Sequence, residues 1–253
     1  MTALIWLCKL ILAHLLTDFI LQPKSWIAHR NRKHFSSGYL YLHGAVTALT
    51  TYLLIGWEYW LTALVILISH ILIDGWKSYR ERSFIYFFID QLLHILVILA
   101  CWYFTFFGWN DIKFAAAGLN NNPDFWILRP DFWILLAAYV FQTVPAGIII
   151  GEATKKWREK IDNAESLANA GKWIGMIERL IILTLVVLDQ YETIGLLIAT
   201  KGIIRFNEKD RPEIKKKDRP EIKTEYLVIG TLLSISMCIF IGLVIKKFFL
   251  ISF

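Results

Sequence analysis

Phe84-Ile-Tyr-Phe-Phe-Ile-Asp90-Gln-Leu-Leu-His94-Ile-Leu-Val-Ile-Leu-Ala-Cys101-Trp-Tyr-Phe-Thr-Phe-Phe107 places one carboxylate and one imidazole in an otherwise apolar and aromatic run. As a helix rising ~1.5 Å per residue, a run of this length exceeds the ~30 Å of hydrocarbon in a bilayer. It therefore reads as a transmembrane helix. The Asp and His inside it are the anomaly, because an ionisable group in a span costs a few kcal/mol or more unless it is paired, hydrated or ion-bound.

Working outward, apolar runs of similar character cover 3–22, 38–57, 60–77, 131–151, 174–190, 191–206 and 225–247. They predict an all-α polytopic transmembrane bundle of seven or eight helices. The count depends on 174–190 and 191–206. These are short, carry Glu178, Arg179, Asp189, Glu192 and Lys201, and read either as two spans or as one re-entrant pair. Composition agrees, since 57% of the 253 residues are hydrophobic and eleven are Trp, far from the balance of a soluble domain. Cys8, Cys101 and Cys238 are scattered in separate apolar runs, which predicts neither disulfides nor a thiolate metal site. The first run has no basic stretch before it and Leu21-Gln22-Pro23-Lys24 after it, so it is expected to be retained, not cleaved as a signal.

The expected organisation is a four-helix region at 1–107, an outer loop at 108–130, and a C-terminal helical region at 131–253 with a charged cytoplasmic loop at 207–224. Pro145 beside Gly147 predicts a kink in the fifth span. Lys and Arg concentrate in alternate loops: four in 23–37, three in 77–83, five in 152–173 and nine in 201–223, against Lys113 and Arg129 on the other side. By the positive-inside rule the N-terminus faces out of a bacterial inner membrane and the basic loops face the cytoplasm. Anionic lipid headgroups are the expected partner of that charge, and nucleic acid is not. Within the last loop, Lys-Asp-Arg-Pro-Glu-Ile-Lys occurs twice in tandem across 209–224, the pattern of a solvated linker.

Four of the six histidines, His14, His43, His70 and His94, fall one to each of the first four spans. Three have an Asp four residues away, so Asp18, Asp74 and Asp90 each share a helix face with a His. The order is His-x-x-x-Asp in spans 1 and 3 and Asp-x-x-x-His in span 4, which runs the opposite way. Every Asp is thus set nearer the cytoplasm, and all seven side chains fall in one layer roughly 5–15 Å deep. Imidazole and carboxylate suit Zn, Mn or Fe, and this set has the donors for one divalent ion or two. Such an ion lowers the pKa of a bound water to about 7 and so supplies a nucleophile, with Asp18 or Asp90 as general base where it is not a ligand. Gln22, Lys77 and Gln91 lie beside the pairs as outer-shell or substrate contacts, or as interfacial residues that snorkel.

The segments His14-Leu-Leu-Thr-Asp18-Phe-Ile-Leu-Gln22, His70-Ile-Leu-Ile-Asp74-Gly-Trp-Lys77 and Asp90-Gln91-Leu-Leu-His94 resemble the hallmark motifs of an uncharacterised bacterial membrane family, a domain of unknown function. The resemblance covers about residues 1–105. Glu178-Arg179, Ala199 to Phe206 and Glu225 to Ser234 are similar to the longer members. That family is in turn similar to membrane-bound metal-dependent hydrolases with intramembrane His/Asp pairs, which implies a hydrolase and names no substrate.

In the second half, Glu178, Arg179, Lys201, Arg205 and Glu225 sit at or near helix ends. Pairing of Glu178 with Lys201 or Arg205 is the structural expectation. A pocket in which Arg179, Lys201 and Arg205 hold a lipid phosphate is its rival. The functional expectation is hydrolysis of a small amphiphilic or lipid-like substrate from the cytoplasmic side. An ion or proton transporter using the same layer, and a non-catalytic membrane adaptor working through the basic loops, are the alternatives.

Overall fold

In the computed structural model, which describes residues 3–107, 129–158, 165–209 and 220–249, every regular element is helical. Helices α1 (Ala3–Phe19), α2 (Lys24–Lys33), α3 (Gly38–Ile55), α4 (Trp60–Ser78) and α5 (Phe84–Phe106) make up the first described stretch. The buried residues of α4 include Thr62, Ile66, His70, Asp74 and Ser78, and those of α5 are Asp90, His94 and Ile98. Both sets repeat every four residues, the spacing of one helix face. The opposite faces are apolar and exposed: Leu49 and Leu53 on α3, Ile68 and Leu72 on α4, Phe88, Leu92 and Leu96 on α5. Polar residues inside and aliphatic residues outside is the inverse of a water-soluble bundle and the arrangement a hydrocarbon solvent selects.

Contacts divide the chain into two compact units, Met1–Val140 and Phe141–Phe253. In the first, α1 packs on α3, α3 on α4, α4 on α5 and α5 on α1, closing a ring of four helices. The closest seam is between α3 and α4, where a Cβ on Gly44 would lie 2.7 Å from Ile71 Cγ1, so glycine lets the two backbones approach. At one end of the ring Trp6, Leu10, Ile55, Ile66 and Ile98 form an apolar cluster with Tyr59 and Phe106 packed against it. Trp102 Nε1 donates to Ala3 O (2.8 Å) at this end. Gly56, at φ 105, ends α3 in a conformation that favours glycine.

At the other end the chain bends by 80° between α1 and the segment Lys24–Ser36. Helix α2 thereby packs against α3 and α4 across the ring. Trp26 stacks on Tyr39 with ring centroids 5.7 Å apart, and His29 Nδ1 bonds Ser37 Oγ (2.7 Å). The expected span 3–22 is thus a shorter helix followed by a sharp turn.

The second unit contains α7 (Val144–Ala153), α8 (Lys155–Arg158), α9 (Glu165–Val187), α10 (Tyr191–Lys209) and α11 (Pro220–Phe248), and α6 (Pro130–Gln142) straddles the division. The kink expected at Pro145 is present as a 44° bend between α6 and α7. Arg179 sits at that break, its Nε donating to Gln142 O (2.7 Å) and its Nη2 to Thr143 O (2.9 Å). Arg179 thereby ties the two carbonyls at the break to α9. Helices α9 and α11 meet where Gly242 faces Val186, beside an apolar cluster of Ile182, Val186, Ile194 and Cys238. All three cysteines are free.

Trp57–Ser78, Phe84–Phe106 and Val228–Phe248 are long and apolar enough to cross a membrane, and each of the two bent pairs is so as well if it counts as one span. Among the described residues three to five candidate spans meet that standard, against the seven or eight expected for the chain. Helix α3 has the length but carries His43, Thr47, Thr50 and Thr51, and α9 and α10 carry charges. The charged loop is also shorter than read from sequence. Helix α10 extends to Lys209 and α11 begins at Pro220, taking in the end of the second repeat, because proline fits the first turn of a helix. Residues 210–219 of the repeat and 108–128 of the outer loop lie outside the described residues.

Candidate metal centre

The ring has four inward faces, and all seven predicted His and Asp side chains lie on them, buried. Asp18 is central. Its Oδ1 lies 3.6 Å from His14 Nδ1, 3.5 Å from His43 Nε2 and 3.3 Å from His70 Nε2. Asp74 Oδ2 faces the last two atoms at 3.7 and 3.9 Å, and the two Nε2 atoms are 2.9 Å apart. Ligands ~2.1 Å from a tetrahedral ion sit about 3.4 Å from one another, so these separations bracket those of a common coordination sphere. A second grouping shares Asp74 and adds Asp90 and His94.

Hydrogen bonds at the rim decide which ring nitrogens carry protons. Gln91 Nε2 donates to Asp90 Oδ2 (3.0 Å), which fixes the amide so that its Oε1 faces His14 Nε2 (3.1 Å). An amide oxygen only accepts, so His14 Nε2 carries the hydrogen and, in the neutral ring, Nδ1 presents a lone pair to a carboxylate oxygen. His94 Nδ1 donates to Asp90 O (2.8 Å), which leaves Nε2 as its lone pair. That Nε2, Asp18 Oδ1, His43 Nδ1 and Asp90 Oδ1 are buried with no hydrogen-bond partner among the described residues. A backbone carbonyl holding one imidazole nitrogen so that the other is free is the usual outer-shell support of a metal-ligating histidine.

Two cations complete the layer. Arg30, from α2, is 4% exposed and pairs with Asp74; Lys77, from α4, pairs with Asp90 of α5, with its side chain 25% exposed. Sequence reasoning counted Arg30 only among the loop charges. The available signal was its helical register with Trp26 and Ile27, which puts it on the apolar side of α2. Lys77 contacts Asp90, and Gln91 contacts both Asp90 and His14. Gln22 is half-buried in the turn after α1, with no hydrogen bond to the cluster among the described residues.

Of the phosphate-binding set read from the second half, two residues have other partners in the structure. Arg179 is held by backbone carbonyls and Lys201 pairs with Glu178, the structural expectation. The side chains of Arg205 and Glu225 lie outside the described residues. Beyond the imidazoles, a cavity of ≈ 10 Å³ is lined by His14, Thr47, Thr51, Ser69, His70 and His94 with Leu10, Ile66, Val97 and Ile98, which is room for about one water.

These features define a helical chain with membrane-length segments and a buried His/Asp cluster. Residues 6–118 match the family described as Protein of unknown function (DUF3307), so the match contains the whole cluster. Comparison with curated proteins and with solved structures gives no match.

Proposed function

We propose that this protein is a metal-dependent hydrolase embedded in a bacterial inner membrane, acting from the cytoplasmic side on a small amphiphilic or lipid-like substrate. The observation that carries the reading is the convergence of ligand atoms inside the ring: the His14 Nδ1 lone pair against Asp18 Oδ1 at 3.6 Å, and the hydrogen-bonded Nε2 atoms of His43 and His70, which share one proton, turned toward Asp18 and Asp74. Electron-rich atoms aimed at a common point in a low-dielectric interior repel unless a proton or a metal ion lies among them, and the His43–His70 hydrogen bond supplies a single proton. His14, Asp18, His43, His70 and Asp74 would hold one divalent ion, Zn, Mn or Fe, and Asp74, Asp90 and His94 have the donors for a second. A divalent ion there supplies Lewis-acid activation of water at neutral pH.

The remaining work belongs to the chain's own residues. With one ion bound Asp90, whose Oδ1 has no hydrogen-bond partner among the described residues, is the base: it takes the proton of the attacking water as the water oxygen bonds to the substrate, and returns that proton to the leaving group as the old bond breaks. Asp18, enclosed by three imidazoles, stays a ligand. The apolar cluster around Trp6 closes the outer end, so access is one-sided and a proton or ion path through the same layer is the weaker reading, favoured only by Thr47 and Thr51 in the cavity wall. Helix α3 crosses the membrane with its threonines inward. With α9 and α10 it brings the span count to seven or eight, and the basic loops set the N-terminus outside.

Elemental analysis of the full-length protein in detergent tests the centre, beside folded His94→Ala and Asp18→Asn variants. Near-stoichiometric Zn, Mn or Fe that falls in both variants is the expected result. Absence of metal from the wild type sinks the proposal, and flux of protons or metal ions into proteoliposomes would move the assignment to a transporter.

A further inference from the structure

Arg30 and Lys77 are out of place in a centre built to bind a cation. Each occupies a carboxylate the centre would use: Arg30 pairs with Asp74, a ligand of the ion, and Lys77 with Asp90, the carboxylate assigned as base. Three carboxylates against these two side chains leave the layer one negative charge in excess, with the imidazoles neutral. A single divalent ion reverses that sign and a second adds to the excess. An uncompensated positive charge in a low-dielectric interior is costly. It is removed most directly by an anion that enters with the substrate.

The geometry says where the anion goes. When Asp74 turns to an ion, the guanidinium of Arg30 is left 4% exposed and without its partner, and its Nε is already without a hydrogen bond among the described residues. Lys77 lies at the accessible edge, over the Phe87 ring (5.4 Å), with its side chain 25% exposed. A planar fork and a point charge flanking an ion site suit a tetrahedral oxyanion, for which Arg provides paired donors and Lys a mobile one. Resting on the metal reading above, we infer that the substrate carries a phosphate group and that Arg30 and Lys77 receive it. Arrival of the phosphate draws Lys77 from Asp90, and so frees the carboxylate assigned as base.

The test is binding, by calorimetry on the metal-loaded full chain in detergent, with three probes: dioleoyl phosphatidic acid, the neutral dioleoylglycerol, and inorganic phosphate. Phosphatidic acid should bind at least about tenfold more tightly than the neutral lipid, with that preference lost in Lys77→Met and Arg30→Gln and kept in Lys77→Arg. The arginine variant guards against loss through misfolding. Inorganic phosphate matching phosphatidic acid would identify a free phosphate as the ligand, and preference for the lipid would identify a headgroup. Equal binding of phosphatidic acid and dioleoylglycerol to protein that retains its metal overturns the inference and leaves the centre standing, as does a preference unchanged in both charge-removing variants. Protein without metal overturns both.

Discussion

Asp18 is the carboxylate of the cluster with no cation of its own; Asp74 has Arg30 and Asp90 has Lys77. It therefore bears most of the mutual repulsion in the ion-free protein. Asp18→Asn removes the charge and offers an amide donor to the His14 lone pair, so the ion-free variant should be more stable by about 1 kcal/mol while binding less metal. Thermal melting with and without chelator, beside elemental analysis, checks both halves; a variant that melts lower and keeps its metal would contradict the assignment. The His/Asp pairs were legible in the sequence because four-residue spacing places two side chains on one face whatever the tertiary structure. Arg30 was not read as buried, since Lys24-Ser-Trp-Ile-Ala-His-Arg30-Asn-Arg32-Lys33 reads as a basic loop, and its register with Trp26 and Ile27 counts only once the segment is known to be a helix.

At the scale of helices, close approach is achieved in two ways. Between α3 and α4 it depends on Gly44, and Gly44→Leu should cost about 1–3 kcal/mol by forcing Ile71 and the seam apart. A lower melting temperature, with metal lost as His43 moves away from His70, is the expected result. At the α6–α7 break it depends on Arg179. Arg179→Ala removes the side-chain donors to Gln142 O and Thr143 O and should destabilise by about 1–3 kcal/mol. Arg179→Lys should recover part of that, measured by the same melt. Pro145 announced the break, because proline removes an amide from the ladder. Its partner was out of reach, because Arg179 and Gln142 are 37 positions apart and pattern within a run carries no information between runs.

For the whole chain, the helical class followed from apolar run length, and the layer of ionisable residues from depth counting. Closure of α1, α3, α4 and α5 into a ring did not, since several packings of four spans satisfy the same pattern. Nor did the 80° turn after α1, which apolar content alone extends into a longer span. The proposed topology predicts that reporter fusions after Ser36 and Tyr79 are active only as cytoplasmic reporters and a fusion after Gly56 only as an external one. The reverse pattern would turn the centre outward and remove the cytoplasmic substrate reading.

That turn also has a thermodynamic consequence. Arg30 reaches Asp74 from a surface helix, so an ion that takes Asp74 competes with the attachment of α2, and reciprocity requires that whatever fastens α2 weakens the ion by the same free energy. The amides of Ile27 to Lys33 should then exchange with deuterium faster in metal-loaded protein than in chelated protein. A helix on the rim would act as the gauge of occupancy for a chamber sealed from it by a ring of side chains, and a lipid that pressed on that helix would be setting the affinity of the chamber for its ion.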